Sequence, residues 1–490
     1  MSTRMWRSAT PIRPSAVLLL AATAAFLAAC SDNTPSGPGT APEIGTPIVT
    51  VPDSAGPAIV VTVATPHADS ARLVAGSVPV GFHVMTDYVR VANDTARLVL
   101  AGLRPGTKYL WHVQAIGSGA TRTGPSLTVT ADSLPAPLRS AKIVTTSGTT
   151  PTVPYIATEL TADSTKYEVI FDSTGTLVWH RAMARPSSDG AFEMQPTGVF
   201  TAFDGTTFGW QPVPGTWLAF GLDGVARKTW TAPSGSFTDQ HEFRMRVEGG
   251  DTVAYFSVYD IVPMDLTAHC GTSAQPTAAH TIVRADAGGL HAIFDATSRF
   301  TIADWVSPPL CGLGDFDHPN AFDFDGDNTL VVSWRNLGAL TAIDVTTGHV
   351  LWQLGGTQTT LALSGDALGG TGGQHSVRVS APGTVLIYDN GTNHMPPQSR
   401  MVEYAIDTNA GVARLTRQYL HPGGLYTTFM GSVSPLANGG VLIGWSTAAT
   451  ITEVDANSNL VWEGVLQLDG QSQTFYRALP VGSLYHYQQP

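Results

Sequence analysis

The chain has 490 residues, 43% of them hydrophobic and only 13% charged, with 50 glycines and 33 prolines. That apolar content excludes global disorder, and the glycine and proline argue for frequent turns rather than long exposed helices, so the composition is β-rich. With Lys+Arg 26 against Asp+Glu 38 the net charge is −12, which makes nucleic acid a poor partner for its surface.

In chain order, Arg4, Arg7 and Arg13 precede an apolar run from Ala16 to Ala29. The run is too short to span a bilayer and carries the basic flank of an export signal. It ends in Leu27-Ala28-Ala29-Cys30, which resembles a bacterial lipobox. That resemblance implies a lipoprotein signal peptide over 1–29, lipidation at Cys30, and a protein exported to the periplasm or cell surface, touching the membrane through its anchor only. Residues 30–47 are crowded with Pro, Gly, Ser and Thr and read as a flexible tether. Export implies an oxidising compartment, so Cys270 and Cys311 are candidates for one disulfide, with two free buried thiols as the other reading. Two cysteines without CxxC spacing cannot build a zinc site alone.

Residues 48–135 hold short alternating runs such as Ala58–Val63, Val89–Val91 and Ala96–Leu100, strand signals at the spacing of a small β-sandwich. The stretch Leu103 to Ala115, with Tyr109, Trp111 and Val113 in alternation, resembles the turn and penultimate strand of a fibronectin type III domain. Tyr109, Trp111 and Val113 are expected to face the core. Asp132–Pro137 then reads as a linker.

From about residue 140 to 490 one element recurs: an apolar strand, an Asp, a Gly-containing turn, and a strand often ending in Trp. Its turns fall at Asp172–Gly175, Asp223–Gly224, Asp286–Gly288, Asp344–Gly348, Asp407–Gly411 and Asp455–Asn459. Six copies spaced by about 50 to 65 residues predict a six-bladed β-propeller, because a four-stranded sheet has two apolar faces that only neighbouring sheets can cover. The expected fold is therefore all-β, a propeller preceded by a small sandwich.

A second repeat lies between those turns. The segment His375 to Tyr388 aligns without a gap on Gly431 to Gly444, and segments opening at His241 and His318 match with one or two extra residues. His241, His318 and His375 thus share a position just before a blade's first strand, where equivalent strand ends crowd the central channel. Asn320 lies two residues beyond His318, on the same side of an extended chain, and Arg335 ends the partner strand. Three imidazoles, a guanidinium and an amide suit an anion. Arg244, Arg246 and Arg378 alternate along strands and read as structural. Asp323, Asp325 and Asp327 faintly match a calcium loop but lack its downstream Glu. His269, His280, His291, His349, His394, His421 and His486 show no shared register.

At Gln374-His375, Asp317-His318-Pro319-Asn320, Ser333-Trp334-Arg335-Asn336, Ser399 to Tyr404 and Tyr476-Arg477-Ala478, the sequence resembles the bacterial arylsulfate sulfotransferases. The likeness covers about 150–480 and departs in the amino-terminal unit and in shorter inter-blade segments. It implies transfer of a sulfuryl group from a phenolic sulfate ester to a phenolic acceptor in two displacements, with His375 as the transiently sulfated nucleophile and His318 as the acid/base. His241, Asn320 and Arg335 would hold the sulfuryl oxygens. No cofactor and no metal are implied, and the nucleotide-phosphate pattern GxxxxGK[ST] does not occur. Imidazole with its unperturbed pKa of about 6.5 is substantially neutral at pH 7, as a nitrogen nucleophile must be. Two other readings are a non-catalytic surface-binding propeller and a metal enzyme using the three histidines.

Overall fold

The computed structural model describes residues 40–485 apart from 53, 79, 82, 186–189, 206–213, 270 and 307–313. The expected signal peptide, Cys30, most of the tether, Cys270 and Cys311 lie outside the described residues. Among the described residues no helix is long and apolar enough to cross a membrane.

Two antiparallel sheets come first. Ile48–Thr50, Ala58–Ala64 and Thr95–Ala101 form one; Leu127–Thr130, Lys108–Gly117, Ser70–Ser77 and Val84–Met85 form the spine of the other. Along Lys108–Gly117 burial alternates, so Tyr109, Trp111, Val113 and Ala115 meet Ile59, Val61, Val63, Leu98 and Leu100 across one core. The Tyr109 hydroxyl accepts the Arg104 amide at 2.9 Å and fixes the preceding turn. This unit and the sheets C-terminal to it belong to one compact body, Ala41–Pro490. Ala55–Gly56 extends a later sheet at Leu177–Ala182, Arg97 and Arg104 pair with Asp223 and Asp172, and the Tyr485 hydroxyl bonds Ala101. The expected linker is packed rather than free: Leu134 and Leu138 are buried.

Six further antiparallel sheets make up the rest of the chain. The first holds Tyr155–Ala162, Thr165–Asp172 and Leu177–Ala182, with the C-terminal strand Leu479–Val481 at its inner edge. The second to fifth open on Glu193–Met194, Phe237–Glu248, Pro319–Phe324 and His375–Ala381, each followed by three antiparallel partners. The sixth runs from Ser432–Pro435 to Leu460–Leu468, and Lys142–Ser147 from the N-terminal side adds its outer strand. The inner strands of the third to sixth sheets lie side by side in succession, and that of the sixth lies against Leu479–Val481.

The six repeated Asp–Gly turns all join the third and fourth strands of a sheet, and the structure shows why the Asp recurs. Its Oδ1 accepts turn amides: Thr174 and Thr176 at Asp172, Val225 at Asp223, Gly288 at Asp286, Thr346 and Thr347 at Asp344, Ala410 at Asp407, Asn457 and Asn459 at Asp455. Gly348 (φ 72°) takes the left-handed position that only glycine adopts at little cost, and Ser458 (φ 62°) takes it in the sixth copy.

Between the inner strands lies a buried ionic cluster. Glu242 Oε2 accepts from Arg378 at 2.9 Å and Arg477 at 3.0 Å, and Arg244 pairs with Glu193 at 2.5 Å. These arginines are structural, as expected of Arg244 and Arg378, and Arg246 pairs with Glu248 at 3.2 Å. Removing one partner of such a cluster strands the rest in a low-dielectric interior, so Glu242→Ala is expected to lower unfolding free energy by about 3–5 kcal/mol in a denaturant titration. Asp323 and Asp325 accept the Val379 and Gly383 amides of the next sheet.

Candidate active site

Each of the three histidine-bearing inner strands loses register with its neighbour at the histidine. The pairing slips between Thr238 and Phe243, between Pro319 and Ala321, and between His375 and Val377. A bulge adds a residue and re-aims the side chains around it; the extra residues of the His241 and His318 segments lie instead in their hairpin turns, at Gly250 and at Asp327-Asn328. His318 (φ 51°) and Ser376 (φ 51°) hold left-handed backbone that non-glycine residues rarely adopt.

The bulges bring the three imidazoles together. The rings of His241 and His318 are 4.5 Å apart, those of His318 and His375 6.4 Å, and Tyr476 stands 6.3 Å from His241. Arg335 follows Trp334 at the end of the partner strand, its amide bonded to the His318 carbonyl at 3.0 Å. Asn320 is fully buried and donates to the Gln374 carbonyl at 2.7 Å, tying the fourth sheet to the residue before His375. In this state that amide hydrogen is committed to positioning the backbone.

The tautomer of His375 is set by its partners. Asn390 gives its NH2 to the carbonyls of Thr427 (2.9 Å) and Met430 (3.1 Å), so its Oδ1 is an acceptor. His375 Nδ1, 2.7 Å from that oxygen and 3.0 Å from the Gly373 carbonyl, must carry the proton. Nε2 therefore holds the lone pair, and it accepts the Met430 amide at 3.2 Å. Burial holds His375 well below the usual histidine range, and the Arg335 and His318 charges push it the same way. It is a neutral nitrogen base aimed into the cluster.

Carboxylates stand behind the other two rings, a feature the sequence reading missed. His318 Nδ1 bonds Asp315 at 2.5 Å and His241 Nδ1 bonds Asp239 at 2.9 Å, with each Nε2 on the side of its ring away from that carboxylate. Burial lowers the His318 pKa, Asp315 opposes that, and His241 adds to it. His280 was also missed: it lies between Asp239 and Asp317.

Half-buried Arg335 differs from the buried arginines of the six C-terminal sheets. Arg181, Arg244, Arg378, Arg400 and Arg477 each have a carboxylate within hydrogen-bond distance. Arg335 has none among the described residues; its bond is to the Asn336 side-chain oxygen at 2.9 Å. Its charge bears on His318 and His375, and Asp315 attracts it from beyond ion-pair distance. Beside it opens a cavity of about 660 Å³, walled by Leu354, Leu361, Leu363, Tyr404 and the glycine-rich run 369–373.

The fold and this cluster define a class: an all-β protein of serial antiparallel sheets with a cluster of three histidines and an arginine at its inner strand ends. Residues 232–467, just under half of the chain, match the family model Arylsulfotransferase (ASST), and the match spans His241, His318, Asn320, Arg335 and His375. Curated proteins give no significant match. Solved structures similar to the chain include a protein of unknown function from Bacteroides caccae (12% identity, TM-score 0.42, 68% of this chain and 100% of that one). They also include virginiamycin B lyase from Staphylococcus aureus (10%, 0.35, 68% and 89%) and TolB from Acinetobacter baumannii (9%, 0.35, 78% and 82%).

Proposed function

We propose that the protein is an arylsulfotransferase that carries a sulfuryl group from a phenolic sulfate ester to a phenol through a sulfated His375, and that its six sheets close into a six-bladed propeller around the pocket. The observation that carries this reading is Arg335: a half-buried guanidinium among imidazoles, with no carboxylate within ion-pair distance among the described residues, where the buried arginines of the six C-terminal sheets each have one. Such a charge calls for an anion. The family match over 232–467 names the chemistry.

In the first displacement the His375 Nε2 lone pair forms a bond to sulfur while the sulfur–oxygen bond to the aryl group breaks, the electron pair leaving with the phenolate. His318, protonated at Nε2 and backed by Asp315, gives that oxygen its proton. The ester's own negative charge, arriving between His318, His241 and Arg335, favours the protonated form that burial opposes. In the second displacement the acceptor phenol oxygen bonds to sulfur, its proton passes to His318, and the sulfur–nitrogen pair returns to Nε2. Both half-reactions use one acid/base in opposite senses. Arg335 and His241 meet the charge on the sulfuryl oxygens, and Asn320 positions the strand that carries His375. The Met430 amide, which caps Nε2 at rest, is released to donate to a sulfuryl oxygen once Nε2 is bonded to sulfur. The apolar, glycine-walled cavity beside Arg335 has the size and lining of an aryl site.

A guanidinium facing the same space as the three imidazoles repels a cation, which weighs against the metal-enzyme reading. We further propose, from the sequence alone, export with lipidation at Cys30 and a fibronectin type III-like unit over 48–135. The decisive experiment exposes the protein to a chromogenic aryl sulfate with and without added phenol, then digests donor-loaded protein for mass spectrometry. Phenol-dependent release and a sulfuryl mass increment on the His375 peptide are expected. Release to water alone, or a label elsewhere, would refute the assignment.

A further inference from the structure

His280 sits on the third strand of the third sheet, opposite Tyr259 in register, and is 3% exposed. Its Nδ1 lies 2.5 Å from Asp317 Oδ1 and its backbone amide donates to Asp317 Oδ2 at 2.9 Å. Its Nε2 lies 3.5 Å from Asp239 Oδ2. Those two carboxylates serve the two neighbouring histidines. Asp239 holds His241 through its ring at 2.9 Å and its amide at 3.0 Å, and Asp317 Oδ1 accepts the His318 amide at 2.9 Å.

We propose that His280 is a positioning residue: by bonding Asp317 through Nδ1 and standing within ion-pair distance of Asp239 through Nε2, it fixes the carboxylate behind His241 and the carboxylate that clamps the left-handed backbone of His318. An ionised carboxylate only accepts, so Nδ1 donates to Asp317, and a second carboxylate 3.5 Å from Nε2 favours the proton there that makes the ring an imidazolium. Independently, Asp317 and Asp239 outweigh its burial and hold its pKa well above the ordinary value. The groups facing it are Asp239 and His241 from the first strand of its sheet, Tyr259 from the second, and Asp315, Asp317 and His318 from the segment entering the fourth. His280, Asp315 and Asp317 could be taken for metal ligands. A doubly protonated ring has no lone pair to give, and 2.5 Å between Nδ1 and Oδ1 is a hydrogen-bond distance, shorter than two ligands of one ion approach.

The catalytic consequence rests on the assignment of this site to sulfuryl transfer, but the test of His280 does not need turnover. In the full-length protein labelled with 15N-histidine and without substrate, His280 is expected to keep both ring nitrogens protonated as the pH rises through the ordinary histidine pKa of about 6.5. In His280→Gln the carboxylates lose a compensating cation, so the His241 and His318 titration midpoints are expected to move up. The same variant should lose on the order of 10- to 100-fold in kcat with KM within about threefold, and the basic limb of its pH–rate profile should move up with His318. A His280 that titrates as a neutral ring near its ordinary pKa of about 6.5 would overturn the proposal even if the variant fails to fold. So would a folded His280→Gln with unmoved midpoints. Absence of aryl sulfate turnover in the wild type would refute the transferase assignment and leave the spectroscopic result standing.

Discussion

Replacing His375 by Asn is expected to abolish sulfuryl transfer while leaving a folded protein. The nucleophile in this geometry is one atom, the Nε2 whose lone pair is fixed by the Asn390 and Gly373 acceptors on Nδ1. Asn has no nitrogen lone pair to offer sulfur, so both displacements disappear together. Deleting a covalent nucleophile costs on the order of 10⁴-fold or more in kcat. The structural cost is modest by comparison: the Met430 amide loses its acceptor and Asn390 Oδ1 its donor. One or two buried groups left unpaired cost about 1–3 kcal/mol each, which a thermal melt would register as a lowered midpoint with cooperative unfolding retained. The wild-type pH profile supplies the companion result. Protonation of Nε2 removes the lone pair, so activity falls with falling pH, and because burial depresses the His375 pKa that fall is expected below the ordinary histidine range near about 6.5. A variant retaining activity within about tenfold of wild type would remove His375 from the reaction.

The parts of this site that the sequence discloses are those that repeat. The Asp–Gly turn recurs because every sheet needs the same carboxylate to satisfy the same turn amides. His318 and His375 align because their strands enter neighbouring sheets in the same way, and the one or two extra residues of the other segments fall in hairpin turns away from the site. The supporting shell does not repeat and so gave no register signal. Yet three of its carboxylates carry a local sign: Asp239 is two residues before His241, and Asp315-Phe316-Asp317 runs directly into His318. Alternate residues of an extended chain share a face, so Asp239 could have been placed beside His241 from sequence. His280 could not. Its place depends on pairing with Tyr259 across a strand and on approaching Asp317 from 37 residues away. Nor does any sequence pattern reveal that Arg335 lacks a carboxylate, since that is a property of everything packed around it.

That missing partner separates a functional arginine from a structural one and yields the second large effect. Arg335→Ala is expected to reduce kcat/KM by on the order of 100- to 1,000-fold, the usual cost of one preorganised donor to developing oxyanion charge. Its stability should be unchanged or slightly raised, because burial disfavours the Arg335 cation more than the attraction of Asp315 favours it. The only side-chain bond lost among the described residues is that to Asn336. Arg378→Ala should behave in the opposite way in the stability measurement, since it leaves Glu242 short of one of its buried partners. Arg335→Lys keeps a positive charge but not the planar fork that meets two oxygens at once, so it should recover part of the rate and not all of it. Comparing the three variants by denaturant titration and by aryl sulfate turnover tests the distinction directly. An Arg335→Ala protein that loses less than about threefold in rate, or that loses as much stability as Arg378→Ala, would show that the guanidinium serves the fold rather than the sulfuryl group.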